Sequence, residues 1–115
     1  NQVNNSLGFP AIFRGVLDVR ATTITDEMCI AAAEELAKYA EEKGIHEEYI
    51  LPLMSEWEVY PREAATVAVK AVGQGVARLK LSRDEAYEMA RSIIERSRNA
   101  LKVLMEGGVI PQPPE

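Results

Sequence analysis

Side-chain amides are concentrated at the start of the chain. Asn1, Gln2, Asn4 and Asn5 supply four carboxamides within five residues. Each offers two N–H donors and one carbonyl acceptor without a charge, so the group can donate to a carboxylate and accept from a hydroxyl. Pro10 suits the first turn of a helix, whose positive end would face this segment. The pattern fits binding of a small hydroxy acid, although asparagine-rich turns form for local reasons as well.

The other reactive side chains give weaker signals. His46 is the only histidine and stands beside Glu47 and Glu48, which predicts a surface residue. Cys29 falls on an apolar helix stripe, which predicts a buried, inert thiol. Gly73-Gln74-Gly75 has Arg78 where a dinucleotide-binding loop needs its third glycine. None of these residues predicts a catalytic site.

Length and composition limit the class of protein. The chain has 115 residues, 47% hydrophobic and 27% charged, with a net charge of −5 and one cysteine. That is room for one domain. The sequence has no apolar run long enough to span a membrane, and its acidity argues against nucleic-acid binding. Because Asn1 rather than methionine comes first, we expect a processed chain or a piece of a longer one.

Apolar periodicity predicts a mainly α chain of about four helices. They run over residues 10–20, 26–43, 61–77 and from 83 to Gly107-Gly108, and Thr25 and Ser82 are the expected N-caps. The third helix is apolar nearly all round, which predicts burial against another domain or subunit. Between the second and third helices we expect a loop with a helical turn at 46–50, anchored by Trp57. Residues 109–115 are expected to form a mobile, proline-rich tail.

One stretch resembles a known family. The sequence from Asn1-Gln2-Val3-Asn4-Asn5-Ser6-Leu7-Gly8-Phe9-Pro10 to Ala21 is similar to the opening of the last part of small bacterial and archaeal malic enzymes. Thr25-Asp26-Glu27-Met28 and the helix ending near Gly75-Val76-Ala77-Arg78 also resemble that family. No motif of the helix from residue 83 or of the tail matches it.

The resemblance implies a fold and an activity. Residues 1–115 would be the C-terminal helical portion of a doubly wound α/β, Rossmann-type NAD(P)-binding domain. The whole enzyme would be a cytoplasmic homodimer that converts malate to pyruvate and CO2. It would transfer hydride from malate C2 to NAD or NADP, and a Mg or Mn ion would assist loss of CO2 from the resulting oxaloacetate.

The resemblance also assigns site residues. Residues 1–9 would form a loop on the substrate side, where Asn4 binds malate near the nicotinamide end of the cofactor and Asn5 is the neighbouring candidate. The family's catalytic lysine and tyrosine, its metal ligands and its glycine-rich cofactor loop have no match here. Lys70 and Tyr60 are of the same residue types as that lysine and tyrosine, but the sequence around them does not match the family's motifs. We therefore expect no catalytic residue and no metal ligand in this chain, and no activity without the remainder of the enzyme.

A second interpretation comes from a different class of protein. The chain could be a free-standing helical interaction module whose apolar third helix binds a partner. The enzyme interpretation requires an upstream strand and glycine-rich turn in the same reading frame, whereas the module requires a start codon close to Asn1.

Overall fold

Four helices make up the structure, which is a computed structural model describing residues 1 and 3–114. A 3-10 turn over Asn5–Leu7 leads into α1 (Phe9–Asp18), followed by α2 (Asp26–Lys43), α3 (Val59–Gly73) and α4 (Arg83–Glu106). Within the described ranges β-structure is limited to two isolated bridges, Ala21–Ala77 and His46–Tyr49. The predicted mainly α architecture of about four helices is confirmed. None of these helices is long and apolar enough to cross a membrane.

The helices with local start signals begin where the sequence predicts. Thr25 Oγ1 accepts from the Met28 N–H at 3.1 Å and caps α2, which ends before Gly44. Ser82 and Glu85 form a capping box at the start of α4: Ser82 Oγ accepts from the Glu85 N–H, and Glu85 Oε1 accepts from the Ser82 N–H, each at 3.1 Å. Both caps satisfy N–H groups that a helix leaves unpaired at its first turn.

The predicted bounds of the other two helices were wrong by a few residues. α1 stops at Asp18 because Arg20 takes a left-handed conformation, with φ at 51°. α3 begins two residues before Pro61 and ends at Gly73, and Gly75 then takes φ at 74°. Ala77 lies outside the helix and pairs with Ala21. That pairing replaces the last predicted turn of α3.

α3 is the central helix of the fold. α1, α2 and α4 each pack against it, and its buried residues are Val59, Pro61, Glu63, Ala64, Ala65, Val67, Ala68 and Ala71. The inference that α3 needs another domain or subunit to cover it was wrong, because the other three helices of this chain do so. Unpartnered apolar side chains lie elsewhere, chiefly Phe9 and Leu17 on α1, each 62% exposed, and Val103 on α4.

Close packing of α1 on α3 depends on Gly15. A Cβ atom built at Gly15 would lie 2.6 Å from the Ala64 carbonyl oxygen and 3.0 Å from Val67 Cβ. Both distances are shorter than ordinary contacts, so a larger residue would force the helices apart. Gly15 therefore permits the close contact between α1 and α3.

The connection between α2 and α3 is a folded loop without a helical turn. At the predicted turn, His46 and Tyr49 instead exchange two backbone hydrogen bonds, of 3.1 and 3.0 Å. The Tyr49 hydroxyl donates to Glu56 Oε2 at 2.9 Å, and the Leu53 N–H donates to the same carboxylate. Trp57 is half-buried, and the Arg98 guanidinium of α4 lies 5.3 Å from its ring centroid. The loop is thereby held against α4.

After α4 the described chain is irregular and rich in proline. α4 stops at Glu106, with Gly107 as its C-cap and Gly108 at φ 74°. Residues 111–114 form no regular secondary structure, and Glu115 lies outside the described residues. That this tail is mobile stays a prediction.

Candidate functional site

The amide segment lies against the loop that precedes α3. Asn1 makes this connection: its Oδ1 accepts from the Ile50 N–H at 2.9 Å, and its Nδ2 donates to the Leu51 carbonyl. The Ser6 hydroxyl lies 3.2 Å from Met54 Sδ on the same loop. Gln2, the second predicted amide, lies outside the described residues. Asn1 therefore uses its amide to hold the segment in place.

Asn4 combines a structural bond with free donor capacity. Its Oδ1 accepts from the Ser6 N–H at 3.0 Å, which caps the 3-10 turn. The side chain is exposed, and its Nδ2 makes no hydrogen bond to residue 1 or to residues 3–114. The cap fixes the orientation of the amide plane, and both Nδ2 hydrogens remain able to donate to an anion.

Asn5 is the first residue of the 3-10 turn and is also exposed. Its backbone carbonyl accepts from the Gly8 N–H at 3.1 Å. Its side-chain amide makes no hydrogen bond within the part of the chain that the structure describes. The structure therefore brings the two predicted site residues together on one exposed turn.

A cavity of about 480 Å³ opens beside this turn. It lies between the amide segment and the loop before α3, and its lining residues are Asn1, Asn4, Leu7, Pro52, Leu53, Met54 and Ser55. Four of these residues are apolar, and Asn1, Asn4 and Ser55 are the polar ones. Such an arrangement gives a small polar ligand hydrogen-bonding groups beside an apolar wall.

The positive end of α1 lies next to the same turn. The helix starts at Phe9, directly after the turn, and its N-cap Gly8 provides no side-chain hydrogen bond. Pro10 lies in the first turn, one position after the helix start. The unpaired N–H groups of a helix start carry partial positive charge, so the electrostatics of this end of the molecule favour an anion.

A buried carboxyl group lies directly beneath the turn. Glu63 on α3 has no exposed surface, and a Cβ atom built at Gly8 would lie 3.7 Å from its Oε1. Burial, with a smaller contribution from the Glu35 carboxylate, raises the pKa of Glu63 to about 9. The group is therefore neutral at pH 7. Sequence analysis did not single out Glu63, although a glutamate within the apolar run of α3 is the signal that could have found it.

The remaining candidates from the sequence lie outside this site. His46 is exposed, as predicted, and its Nδ1 accepts from the Glu48 N–H at 3.3 Å. Cys29 is exposed, so the predicted buried thiol was wrong. The Tyr60 hydroxyl donates to the Met54 carbonyl at 3.2 Å, and Lys70 is exposed at the far end of α3.

The described ranges contain no group of three His, Cys, Asp or Glu side chains close enough to hold a metal ion. Two carboxylates of α2 are paired with Arg62 of α3: Glu35 at 2.8 Å and Glu42 at 2.7 Å. The side chains described here therefore do not by themselves fit a divalent cation.

Comparison with known proteins identifies a family. Residues 1–74 match the family model described as "Malic enzyme, NAD binding domain". The chain is 45% identical over 93 residues to a bifunctional malic/malolactic enzyme of Bacillus subtilis, covering 81% of this chain and 23% of that protein. It is 45% identical over 78 residues to an NAD-dependent malic enzyme of Geobacillus stearothermophilus, covering 68% of this chain and 16% of that protein.

Solved structures match a longer part of this chain than the family model does. The crystal structure of Entamoeba histolytica malic enzyme matches 99% of this chain with a TM-score of 0.95 and 43% identity. That of malic enzyme from Pyrococcus horikoshii matches 93% with a TM-score of 0.84 and 47% identity. Each match covers 24% of the solved chain. The helix from residue 83, which no sequence motif matched, therefore has a counterpart, and the chain spans about a quarter of the length of these relatives.

Proposed function

Since the chain belongs to the malic enzyme family, within its NAD-binding domain, we propose that it works as part of an NAD(P)-dependent malic enzyme that converts malate to pyruvate and CO2. The match of residues 1–74 to that domain supports this proposal, together with relatives named as NAD- and NADP-dependent malic enzymes. The alternative of a free-standing helical interaction module is not favoured, because the malic enzyme family model matches more than half of the chain and a solved malic enzyme matches 99% of it.

In this proposal Asn4 binds the substrate. Its exposed Nδ2 donates to a carboxylate or hydroxyl oxygen of malate, while the bond from the Ser6 N–H holds its Oδ1. Asn5, one residue further on the same turn, is the second candidate. Leu7, Pro52 and Leu53 give the bound acid an apolar wall on one side. The single observation that carries the assignment is the capped, exposed Asn4 amide beside the positive end of α1.

The chemistry that Asn4 serves comes from groups bound elsewhere in the enzyme. When bound, NAD or NADP would supply the acceptor for the hydride of malate C2. In this proposal, which follows the family resemblance, Asn4 also contacts the nicotinamide end of that cofactor. The role of Asn4 is to hold the acid in register, and correct orientation alone lowers a reaction barrier substantially.

The proposal includes features that lie beyond this chain. The metal ion is Mg or Mn, held by ligands outside residues 1–115. The remainder of the enzyme supplies the catalytic residues, so the isolated chain is inactive. The whole enzyme is a homodimer in the cytoplasm. The support for these features is the family resemblance.

The test replaces Asn4 by alanine in the longer enzyme that contains this chain. Loss of one hydrogen bond to a charged acid should lower kcat/KM for malate by roughly tenfold or more. The KM for the cofactor should change little. Asn99→Ala, which removes an exposed amide on α4, is the matched control and should leave both values unchanged. Unaltered malate kinetics in Asn4→Ala would refute the role of Asn4.

A second experiment addresses the whole function. The purified 115-residue chain should give no malate-dependent reduction of NAD or NADP, with or without Mg or Mn. Adding the remaining part of the enzyme should restore the activity. A malate- and metal-dependent signal from the 115-residue chain alone would contradict the proposal that catalysis needs the remainder.

A further inference from the structure

Two arginines are neighbours where the segments that follow α1 and α3 meet. Ala21 and Ala77 form an antiparallel bridge there, and both pack against the core. The Arg78 N–H donates to the Arg20 carbonyl at 3.3 Å, so the two arginines occupy facing positions next to the bridge. Both are exposed. The backbone pairing therefore places two positively charged residues side by side at the surface.

Neither arginine has a counter-charge among residues 1 and 3–114. The ion pairs in this part of the chain involve other basic residues. Asp18, the acid nearest to Arg20 in the sequence, is bound by Arg14 at 2.6 Å and is only 7% exposed. Lys80, two residues after Arg78, is exposed and lacks an ion pair within the same ranges. The chain as a whole carries a net charge of −5, so this cluster of cations runs against its overall charge.

The arrangement costs stability. Like charges at facing positions of two paired segments repel each other. Arg20 also takes a left-handed conformation, with φ at 51°, which glycine adopts without strain and a residue with a Cβ atom does not. Glycine at position 20 and a neutral residue at position 78 would remove both costs and keep the bridge between Ala21 and Ala77. The two arginines therefore call for a reason other than stability of the fold.

The chemistry of two adjacent guanidinium groups fits a phosphate group. A guanidinium can donate two parallel hydrogen bonds to the oxygens of one phosphate or carboxylate. A phosphate monoester carries close to two negative charges at neutral pH, whereas a carboxylate carries one. Arg20 and Arg78, with Lys80 close by in the sequence, match the larger charge better. A bound phosphate would also offset the repulsion between the two arginines.

This pair lies at the end of α1 that is remote from the proposed malate-binding turn. The turn precedes α1 directly, whereas Arg20 lies two residues after the helix ends. A helix of ten residues is about 15 Å long. A phosphate group held by both arginines is therefore too far from Asn4 to belong to the same small acid.

We propose that Arg20 and Arg78 form a binding site for the phosphate group of a small ligand, at the end of α1 remote from Asn4. The pairing of Ala21 with Ala77 holds the two arginines together, and the ligand supplies the counter-charge that they lack. This inference does not depend on the proposed role of Asn4. The phosphate belongs either to a separate ligand or to the cofactor, and the experiments below distinguish these sources.

The test measures binding of inorganic phosphate to the longer enzyme by isothermal titration calorimetry, with saturating malate present to occupy the substrate site. Replacing both residues, Arg20→Gln with Arg78→Gln, should weaken phosphate binding about tenfold or more, because charge-assisted hydrogen bonds are lost. Arg96→Gln removes an exposed arginine of α4 and is the matched control, which should keep the original affinity. No binding by the original enzyme, or equal binding by the double variant, would overturn the proposal.

Melting temperatures test a competing explanation, in which an acidic side chain from the remainder of the enzyme pairs with the two arginines. In phosphate-free buffer the enzyme with Arg20→Gln should melt at the same temperature as the original or higher, because the substitution removes repulsion between like charges. A clearly lower melting temperature would show that the arginines already have an acidic partner within the enzyme, and would overturn the proposal.

The KM values of the double variant identify the source of the phosphate. If the KM rises for NADP but not for NAD, the site binds the additional phosphate of NADP. If both KM values stay within about twofold of the original while phosphate binding is lost, the site takes a separate ligand. Either result supports a phosphate site at Arg20 and Arg78.

Discussion

At the residue scale, the exposed amide of Asn4 defines the candidate site, and the buried carboxyl of Glu63 lies close to it. Asn4 presents its amide at the surface, and Glu63 lies buried beneath the turn that Asn4 caps. The two residues differ in whether the sequence alone shows that they are unusual. Asn4 belongs to a run of amides that is visible in the sequence, whereas Glu63 becomes unusual only once its burial and its missing hydrogen-bond partners are known.

The raised pKa of Glu63 makes stability depend on pH. In the folded chain the group keeps its proton up to about pH 9, whereas an exposed glutamate loses it near 4.5. The folded state then binds more protons than the unfolded state between these values. The free energy of unfolding should therefore fall as the pH rises through this window, by about 1.4 kcal/mol per pH unit at the steepest.

Glu63→Met should remove this contribution. We expect the stability difference between the variant and the original chain to grow from pH 5 to pH 8 in favour of methionine, measured by urea unfolding of the 115-residue chain. Glu58→Met, which changes an exposed glutamate of the neighbouring turn, is the control and should not alter the slope. Parallel curves for Glu63→Met and the original would show that Glu63 titrates normally.

At the element scale, the contact between α1 and α3 decides where the amide segment lies. α1 follows the turn directly and packs on α3 through Ala11 and Gly15. α3 carries Glu63 and follows the loop that lines the cavity. Any change in the distance between these two helices would move both walls of the site.

Gly15→Ala should test that contact. The added methyl group would lie 2.6 Å from the Ala64 carbonyl, an atom of the helix backbone that cannot rotate away. We expect the free energy of unfolding to fall by about 1–3 kcal/mol, as measured by chemical denaturation. Gly73→Ala, at the end of α3 with nothing within 4 Å of the added atom, is the matched control. It should be neutral or slightly stabilising, and an equal loss in both variants would argue against close packing at Gly15.

At the scale of the whole molecule, α1, α2 and α4 cover α3, but within the described residues one side of α1 has no partner. Phe9, Phe13 and Leu17 are spaced four residues apart and form an exposed apolar stripe opposite the buried face, with the two phenylalanine rings 4.5 Å apart edge to face. The chain matches 24% of each solved malic enzyme. We therefore expect the remainder of the enzyme to cover this stripe.

Leu17→Gln should distinguish the isolated chain from the whole enzyme. Leucine and glutamine have similar helix propensities, and Leu17 is 62% exposed, so the stability of the 115-residue chain should change by less than about 0.5 kcal/mol. In the longer enzyme the same change should lower the melting temperature, because it would place a polar amide in a covered interface. An equal, small effect in both proteins would show that the stripe faces solvent in the enzyme too.

The sequence by itself determined the features that depend on a few neighbouring residues. Thr25 and Gly44 set the bounds of α2, and Ser82 with Glu85 sets the start of α4, because each cap joins groups within four residues. The amide-rich start and its family resemblance were also visible without a structure. Both depend on residues that are close together in the sequence, so they can be recognised without knowledge of the fold.

Only the tertiary structure decided what depends on distant partners. Arg20, Ala21 and Ala77 end α1 and α3 earlier than periodicity suggests, since their backbones interact across more than fifty residues. The same holds for the burial of α3 by three helices, for the close approach at Gly15, and for the carboxyl of Glu63 beneath Gly8. Burial and contact arise from packing between helices, and helical periodicity shows which face of a helix is apolar but not what covers it.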